Sequence, residues 1–162
     1  MLRFDAVPES LKTLLLHLAT VPAMQEFALG GGTSLALRFS HRLSVDLDFF
    51  TLHEFAPEAL AESLEIGPVT IIGQAANSLT LDVGGMKLDL LRHACRMLEP
   101  VERINGVALV SLPDLAAMKL NALANRGSKK DFYDIMELLD RLALQQMIDY
   151  LRKNTRRQTH SR

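Results

Sequence analysis

The stretch from Leu43 to Phe50 does most to limit what this chain can become. Apolar and polar residues alternate through it, so Val45, Leu47 and Phe49 point to one side of an expected strand, while Ser44, Asp46, Asp48 and Phe50 point to the other. Asp46 and Asp48 therefore leave the same face, about 6–7 Å apart at their Cα atoms. Two carboxylates that close repel unless something positive lies between them. A chain that folds such a strand must bring a cation to it or leave the face in water.

The flanking sequence supplies a frame. Leu11, Leu14, Leu15 and Leu18 recur at helical spacing, which predicts an amphipathic helix over about residues 8–20. Glu26 to Leu29 reads as a short strand, Gly30-Gly31-Gly32 as a turn, and Thr33 to Phe39 as a helix. Pro57 opens a further helix through Glu65. Strand-like runs follow at Val69–Ile72, Leu79–Val83 and Met86–Leu91, the last two joined by a Gly84-Gly85 hairpin signal. Ser111-Leu112-Pro113-Asp114 has capping-box spacing and opens a helix through Leu123; Lys130–Arg141 and Leu144–Lys153 read as two more. The expected class is α+β: a mixed sheet with flanking helices over residues 1–110, a helical part over 111–153 packed on it, and a flexible basic tail over 154–162.

Asp89, on the Met86–Leu91 strand, offers a third carboxylate, with Leu88 and Leu90 facing the opposite way. Three acids from two strands suit a hard divalent cation such as Mg²⁺ (or Mn²⁺), which takes oxygen ligands and retains phosphate oxygens in its shell. Pairs of such metals serve nucleotidyl transfer, and Asp89 would lie nearest the attacking hydroxyl. Gly31 and Gly32 let backbone approach a phosphate, the next helix turns its N-terminus to negative charge, and Thr33 adds a hydroxyl. Singly, a glycine turn and an acidic strand face are each more often plain structure. Together, within one strand–turn–helix–strand unit, they describe one site for metal and triphosphate. Arg38 and Arg42 lie between the turn and the acids, and either contacts phosphate or pairs with an acid; His41 reads as structural. A Rossmann fingerprint lacks its third glycine here, and no GK[ST] follows for a P-loop.

Leu29 to Arg38 followed by His41 to Phe50 resembles the first motif of the AbiEii/AbiGii-type nucleotidyltransferase toxins, a branch of the DNA polymerase beta superfamily. Lys87-Leu88-Asp89 resembles that family's second acidic strand. Asp114 to Lys119, with Arg126, Lys130-Asp131 and Asp134, resembles its helical motif. The resemblance implies that Gly32, Thr33, Asp46, Asp48 and Asp89 bind nucleotide and metal, and that Lys119 reaches the triphosphate, where a fixed cation offsets charge on the leaving group. Asp131 and Asp134, three apart on one helix face, then orient Lys119 or Arg126, or else merely solvate the helix. It also implies an enzyme moving a nucleoside monophosphate from NTP to a hydroxyl of tRNA or protein, a toxin with a cognate antitoxin. The competing reading is a non-catalytic nucleotide-binding or partner-binding relative that kept the fold. Family members are often longer after the position of Asp134, which leaves acceptor binding open.

Composition narrows the class further. With 48% hydrophobic residues among 162, one core can be covered. No apolar run approaches the ~20 residues of a membrane span, and Arg3, Asp5 and Glu9 do not make a secretory leader, so the cytoplasm is the expected compartment. Cys95, the single cysteine, cannot form an internal disulfide and reads as a partly buried thiol. Net charge is −1, but Arg152, Lys153, Arg156, Arg157 and Arg162 face no acid in the last eleven positions, so the body is acidic and the end basic. Such an end either attracts RNA phosphates or keeps the chain soluble.

Overall fold

The computed structural model describes residues 1–159. A seven-stranded mixed sheet forms the centre. Its strands are β1 (Ala28–Leu29), β2 (Leu47–Thr51), β3 (Thr70–Ala75), β4 (Ser78–Val83), β5 (Met86–Arg92), β6 (Glu102–Ile104) and β7 (Val107–Leu109), in the order β3-β4-β5-β2-β1-β7-β6. Six helices surround it: α1 (Glu9–Leu18), α2 (Gly31–Phe39), α3 (Pro57–Ser63), α4 (Leu112–Asn125), α5 (Lys129–Leu139) and α6 (Leu144–Thr159). The α+β mixed sheet with flanking helices is thus the architecture the sequence pattern predicts.

Alternation along the central strands divides the molecule into two cores. Leu47 and Phe49 of β2, Leu79, Leu81 and Val83 of β4, and Leu88 and Leu90 of β5 face one side, where they pack with Leu11, Leu14, Leu15 and Leu18 of α1 and Leu60 of α3. On the opposite side Ala28, Leu35 and Val110 pack with Leu115 and Ala116 of α4, Ile135 and Leu138 of α5, and Met147 of α6. Asp48, Phe50 and Asp89 fall on this second side because they are the odd members of the alternation. β2 and β5 run parallel, with Asp48 directly opposite Asp89.

The structure departs from the sequence pattern in several places. The strand expected from Leu43 begins only at Leu47, and Val45 is exposed rather than sharing the face of Leu47 and Phe49. Leu43 to Asp46 form a loop, tied by Ser44 N–H to the Ala6 carbonyl and by the Thr33 hydroxyl to Ser44 Oγ and the Asp46 carbonyl. β6 and β7 are strands that hydrophobic runs did not reveal, each being three residues long. Their signal was Asn105-Gly106, whose φ values of 50° and 80° suit a two-residue hairpin turn. α6 extends to Thr159, so the first residues of the expected basic tail are helical; residues 160–162 lie outside the described part.

Ser111 caps α4 by accepting from Asp114 N–H, but the Asp114 carboxylate does not complete a capping box. It accepts instead from the Ser111 hydroxyl and from the N–H groups of Leu98 and Glu99, holding the segment between β5 and β6. α5 has the full box, with Ser128 and Asp131 bonded reciprocally.

Leu90 is fully buried on the face of β5 opposite Asp89. Leu90→Ala should cost about 2–5 kcal/mol, read as a lowered urea midpoint with unchanged slope. A cost under about 1 kcal/mol would show that this face is not closely packed.

Candidate active site

The cleft is built where α2 meets the acidic end of β2. β1 ends at Leu29, and Gly30 N–H donates to the Asp48 carbonyl at 2.8 Å, which fixes the start of α2 beside β2. Gly31 has φ +61°, and a Cβ there would stand 2.4 Å from Asp48 Oδ2. Any side chain would be strained twice, by backbone conformation and by collision. A Cβ on Gly32 would lie 1.8 Å from the Arg42 guanidinium. The two glycines therefore make room for an aspartate and an arginine that close over the helix N-terminus. Ser34 N–H reaches the Gly30 carbonyl at 3.3 Å, so the N–H groups of Gly31 to Thr33 precede the first helical bond, and all three residues line the cleft.

The cleft encloses about 320 Å³ and is lined on one side by Asp46 and Asp48 and on the other by Lys119, Arg126 and Lys130, with Arg42, Lys87 and the glycines between. Asp48 is the acidic floor of the cleft, and Asp89, its register partner on β5, is almost wholly buried beside it and is not among the lining residues. Burial first, then the Asp89 charge beside it, push the Asp48 carboxyl up to about 6. Asp89 accepts from the Thr80 hydroxyl at 2.6 Å and pairs with Lys87 at 2.8 Å. Asp46 precedes β2 instead of lying in it, so strand alternation does not align it with Asp48; its carboxylate is half exposed and 3.9 Å from Lys130. Among the described residues no three acidic, histidine or cysteine side chains converge as a metal cluster. The donor set that fits a hard divalent cation is the in-register pair Asp48 and Asp89, with Asp46 close by on the same cleft wall.

The basic wall hangs on two aspartates of α5. Asp134 is fully buried and accepts from Arg42 Nε and Nη2 at 2.7 and 2.9 Å, from His41 Nε2 at 2.7 Å and from Lys119 Nζ at 2.7 Å. Burial alone would raise its pKa, yet hydrogen bonds from His41, Arg42 and Lys119 hold it well below the usual carboxylate range. Asp131, also fully buried, takes both arms of Arg126 at 2.7 and 2.8 Å, the Ser128 hydroxyl at 2.6 Å and Lys119 at 3.3 Å. The Arg126 hydrogen bonds lead in holding it below the usual range. Lys119, itself almost wholly buried, thus has two partners for three donors and is fixed at the cleft wall.

The remaining sequence candidates separate cleanly. Arg42 lines the cleft, whereas Arg38 does not: it pairs with Glu102 at 2.9 Å and donates to the Val110 carbonyl at 2.8 Å, tying α2 to the β6–β7 edge. The physical reason is helical phase, since Arg38 lies three residues after Leu35 and shares its inward face. Thr33 lines the cleft, but its hydroxyl is engaged by Ser44 and Asp46. His41 is a partner of Asp134, and Cys95 is buried away from the cleft. Lys87 was not singled out from the sequence, although its two-residue spacing from Asp89 was the available signal. Ser44 and Ser128 also join the lining, without any motif to mark them.

Two outcomes follow from these charges. Asp134→Ala leaves buried Lys119 without its nearest partner and should destabilise the fold by about 3–5 kcal/mol, measured by urea unfolding. Asp48 is protonated more readily folded than unfolded, so its contribution is full below pH ~4 and is lost as pH rises toward 6. Metal-free protein should therefore lose stability across that interval, and Asp48→Asn should flatten the profile. A wild-type profile that rises from pH 4 to 6 and is unchanged by Asp48→Asn contradicts the repulsion at the floor.

The model of the nucleotidyl transferase AbiEii toxin, type IV TA system, matches residues 13–67. The protein aq_aa25 of Aquifex aeolicus (strain VF5) is 36% identical over 119 residues, 70% of this chain and 58% of that protein, so the match spans little more than half of the relative. Among solved structures, the antibiotic-resistance factor ANT(2'')-Ia superposes with a TM-score of 0.67 at 14% identity, covering 95% of this chain and 96% of that one. ANT(2'')-Ia in complex with adenylyl-2''-tobramycin gives 0.59 at 16%, covering 91% and 98%. No helix among the described residues is long and apolar enough to cross a membrane. Residues 13–67 thus resemble the AbiEii nucleotidyl transferase toxins, and the chain shares the fold of ANT(2'')-Ia.

Proposed function

We propose that this protein transfers a nucleoside monophosphate from an NTP to an acceptor hydroxyl, in the cleft between the Asp48–Asp89 floor and the Lys119–Arg126–Lys130 wall. The observation that carries the reading is the juxtaposition itself: an acid pair in register on adjacent parallel strands, opposite cations held by buried aspartates, at an open helix N-terminus. ANT(2'')-Ia, which shares the fold, has been captured with an adenylylated product, adenylyl-2''-tobramycin, which fits the same class of reaction.

Within this reading each side chain has a task. The N–H groups at the start of α2 and the cations Arg42, Lys119, Arg126 and Lys130 hold the triphosphate. Lys119, fixed by Asp131 and Asp134, meets the charge that develops on the departing pyrophosphate without having to reorganise. Asp48 and Asp89, with Asp46 beside them, hold Mg²⁺ or Mn²⁺, whose chemistry is to lower the pKa of the attacking hydroxyl and to screen the phosphate oxygens. Asp89 is the acid nearest the approaching acceptor: α1 and α3 cover the opposite face of β4 and β5, while among the described residues no side chain of β3 to β5 joins the second core on the Asp89 face. The acceptor, a hydroxyl of tRNA or protein, the cognate antitoxin and the cytoplasmic setting belong to the same proposal. The division at residue 110 between core and helical part belongs to the same proposal, whereas the boundary expected at 153 falls inside α6 (Leu144–Thr159).

Incubation with labelled NTPs, Mg²⁺ and either total tRNA or cell lysate measures the activity. The wild type should label an acceptor, and Asp48→Ala or Lys119→Ala should lower the rate at least 100-fold, on the scale of removing a principal electrostatic group. Nucleotide binding without label transfer in any acceptor fraction would support the non-catalytic alternative.

A further inference from the structure

Resting on the reading of Asp48 and Asp89 as the metal pair, we propose that Lys87 is a tethered cation that occupies the metal pair when no metal is present and sets how tightly a metal can bind. Lys87 precedes Asp89 by two residues on β5, so both side chains leave the same face. Its Nζ stands 2.8 Å from Asp89 Oδ2, and it lines the cleft with Asp46 and Asp48. The other Asp89 oxygen takes the Thr80 hydroxyl at 2.6 Å. A positive charge therefore already sits at the oxygen a metal would approach.

The arrangement differs from the ion pairs of the opposite wall. Lys119 is buried and shared by two aspartates, whereas the Lys87 side chain is 52% exposed on a flexible four-carbon stem. It stands two residues after the Gly84-Gly85 turn, and its partner across the antiparallel β4–β5 pair is Asp82. Asp82 is a solvent-side carboxylate that accepts only the Gly85 N–H at 3.0 Å among the bonds of that turn. An ammonium displaced from Asp89 thus finds a second carboxylate across the ladder, within the range over which facing side chains pair. Lys87 has a near position over the acid pair and a far position over Asp82, and a divalent cation selects the far one. In the near position it offsets the repulsion between Asp48 and Asp89; in competing with a metal it weakens the metal's affinity.

The test uses full-length protein and Mn²⁺ alone, without nucleotide, with binding followed by the electron paramagnetic resonance signal of free Mn²⁺. Lys87→Gln removes the competing charge and should tighten Mn²⁺ about tenfold, while Lys87→Arg, which keeps the charge, should stay within about twofold of wild type. The Lys87→Gln affinity should also depend less on salt concentration than that of the wild type. Thermal unfolding of each variant without metal reports that it is folded. Equal or weaker Mn²⁺ binding by folded Lys87→Gln overturns the inference. A loss confined to NTP affinity, with Mn²⁺ affinity unchanged, overturns it too and makes Lys87 a phosphate ligand. Asp48→Asn with Asp89→Asn separates this from the underlying reading: Mn²⁺ binding that survives the double change shows that the metal pair itself is misassigned.

Discussion

The buried carboxylate of Asp134 is the interaction on which the cleft depends. It gathers His41 and Arg42 from the loop after α2 and Lys119 from α4 onto a single side chain of α5. An ionised aspartate with no exposure is costly on its own, and only three donors converging on it make the buried charge tolerable. The consequence is mutual constraint. Arg42 can lie across the start of α2 only because Gly32 has no Cβ, and Lys119 can sit buried at the cleft wall only because Asp134 and Asp131 both face it. Loop, helix pair and glycine turn are held in one register by a few hydrogen bonds.

Against that rigid wall the sheet supplies a floor with the opposite character. Asp48 is buried and faces Asp89, and burial first, then the neighbouring charge, raise its carboxyl to about 6. Stability is sacrificed there, which is common where a site awaits a cation. Lys119 and Arg126 are held in place by buried aspartates, while Lys130 and Asp46 at the cleft are largely exposed and only loosely paired. A site divided in this way suits a ligand that is itself a metal–triphosphate pair, with positive charge at one end and negative at the other.

Much of this was legible in the sequence, for identifiable reasons. Period-two alternation around Leu47–Phe49 and Leu88–Leu90 fixes which face each acid takes, so the face of Asp48 and Asp89 could be read directly. Their direct opposition could not, because it depends on β2 and β5 being neighbours in a sheet whose order is non-sequential. Asp46 was read as a strand residue, but the bonds of Thr33 to Ser44 and Asp46 hold that segment as a loop, and no local pattern encodes a contact eleven to thirteen residues away. Arg38 and Arg42 looked equivalent between the glycines and the acids; helical phase sends the first to Glu102 and the loop sends the second to Asp134. β6 and β7 are too short for hydrophobic periodicity, and only Asn105-Gly106 marked them.

The central claim is that the acid pair and the basic wall form one site for a metal-bound triphosphate. Its most direct measurement is a crystal structure with Mn²⁺ and a non-hydrolysable NTP, using anomalous scattering to locate the metal. The account predicts an anomalous peak bridging Asp48 and Asp89, with the triphosphate between the start of α2 and Lys119. Manganese absent from that pair, or nucleotide bound outside the cleft, would contradict it.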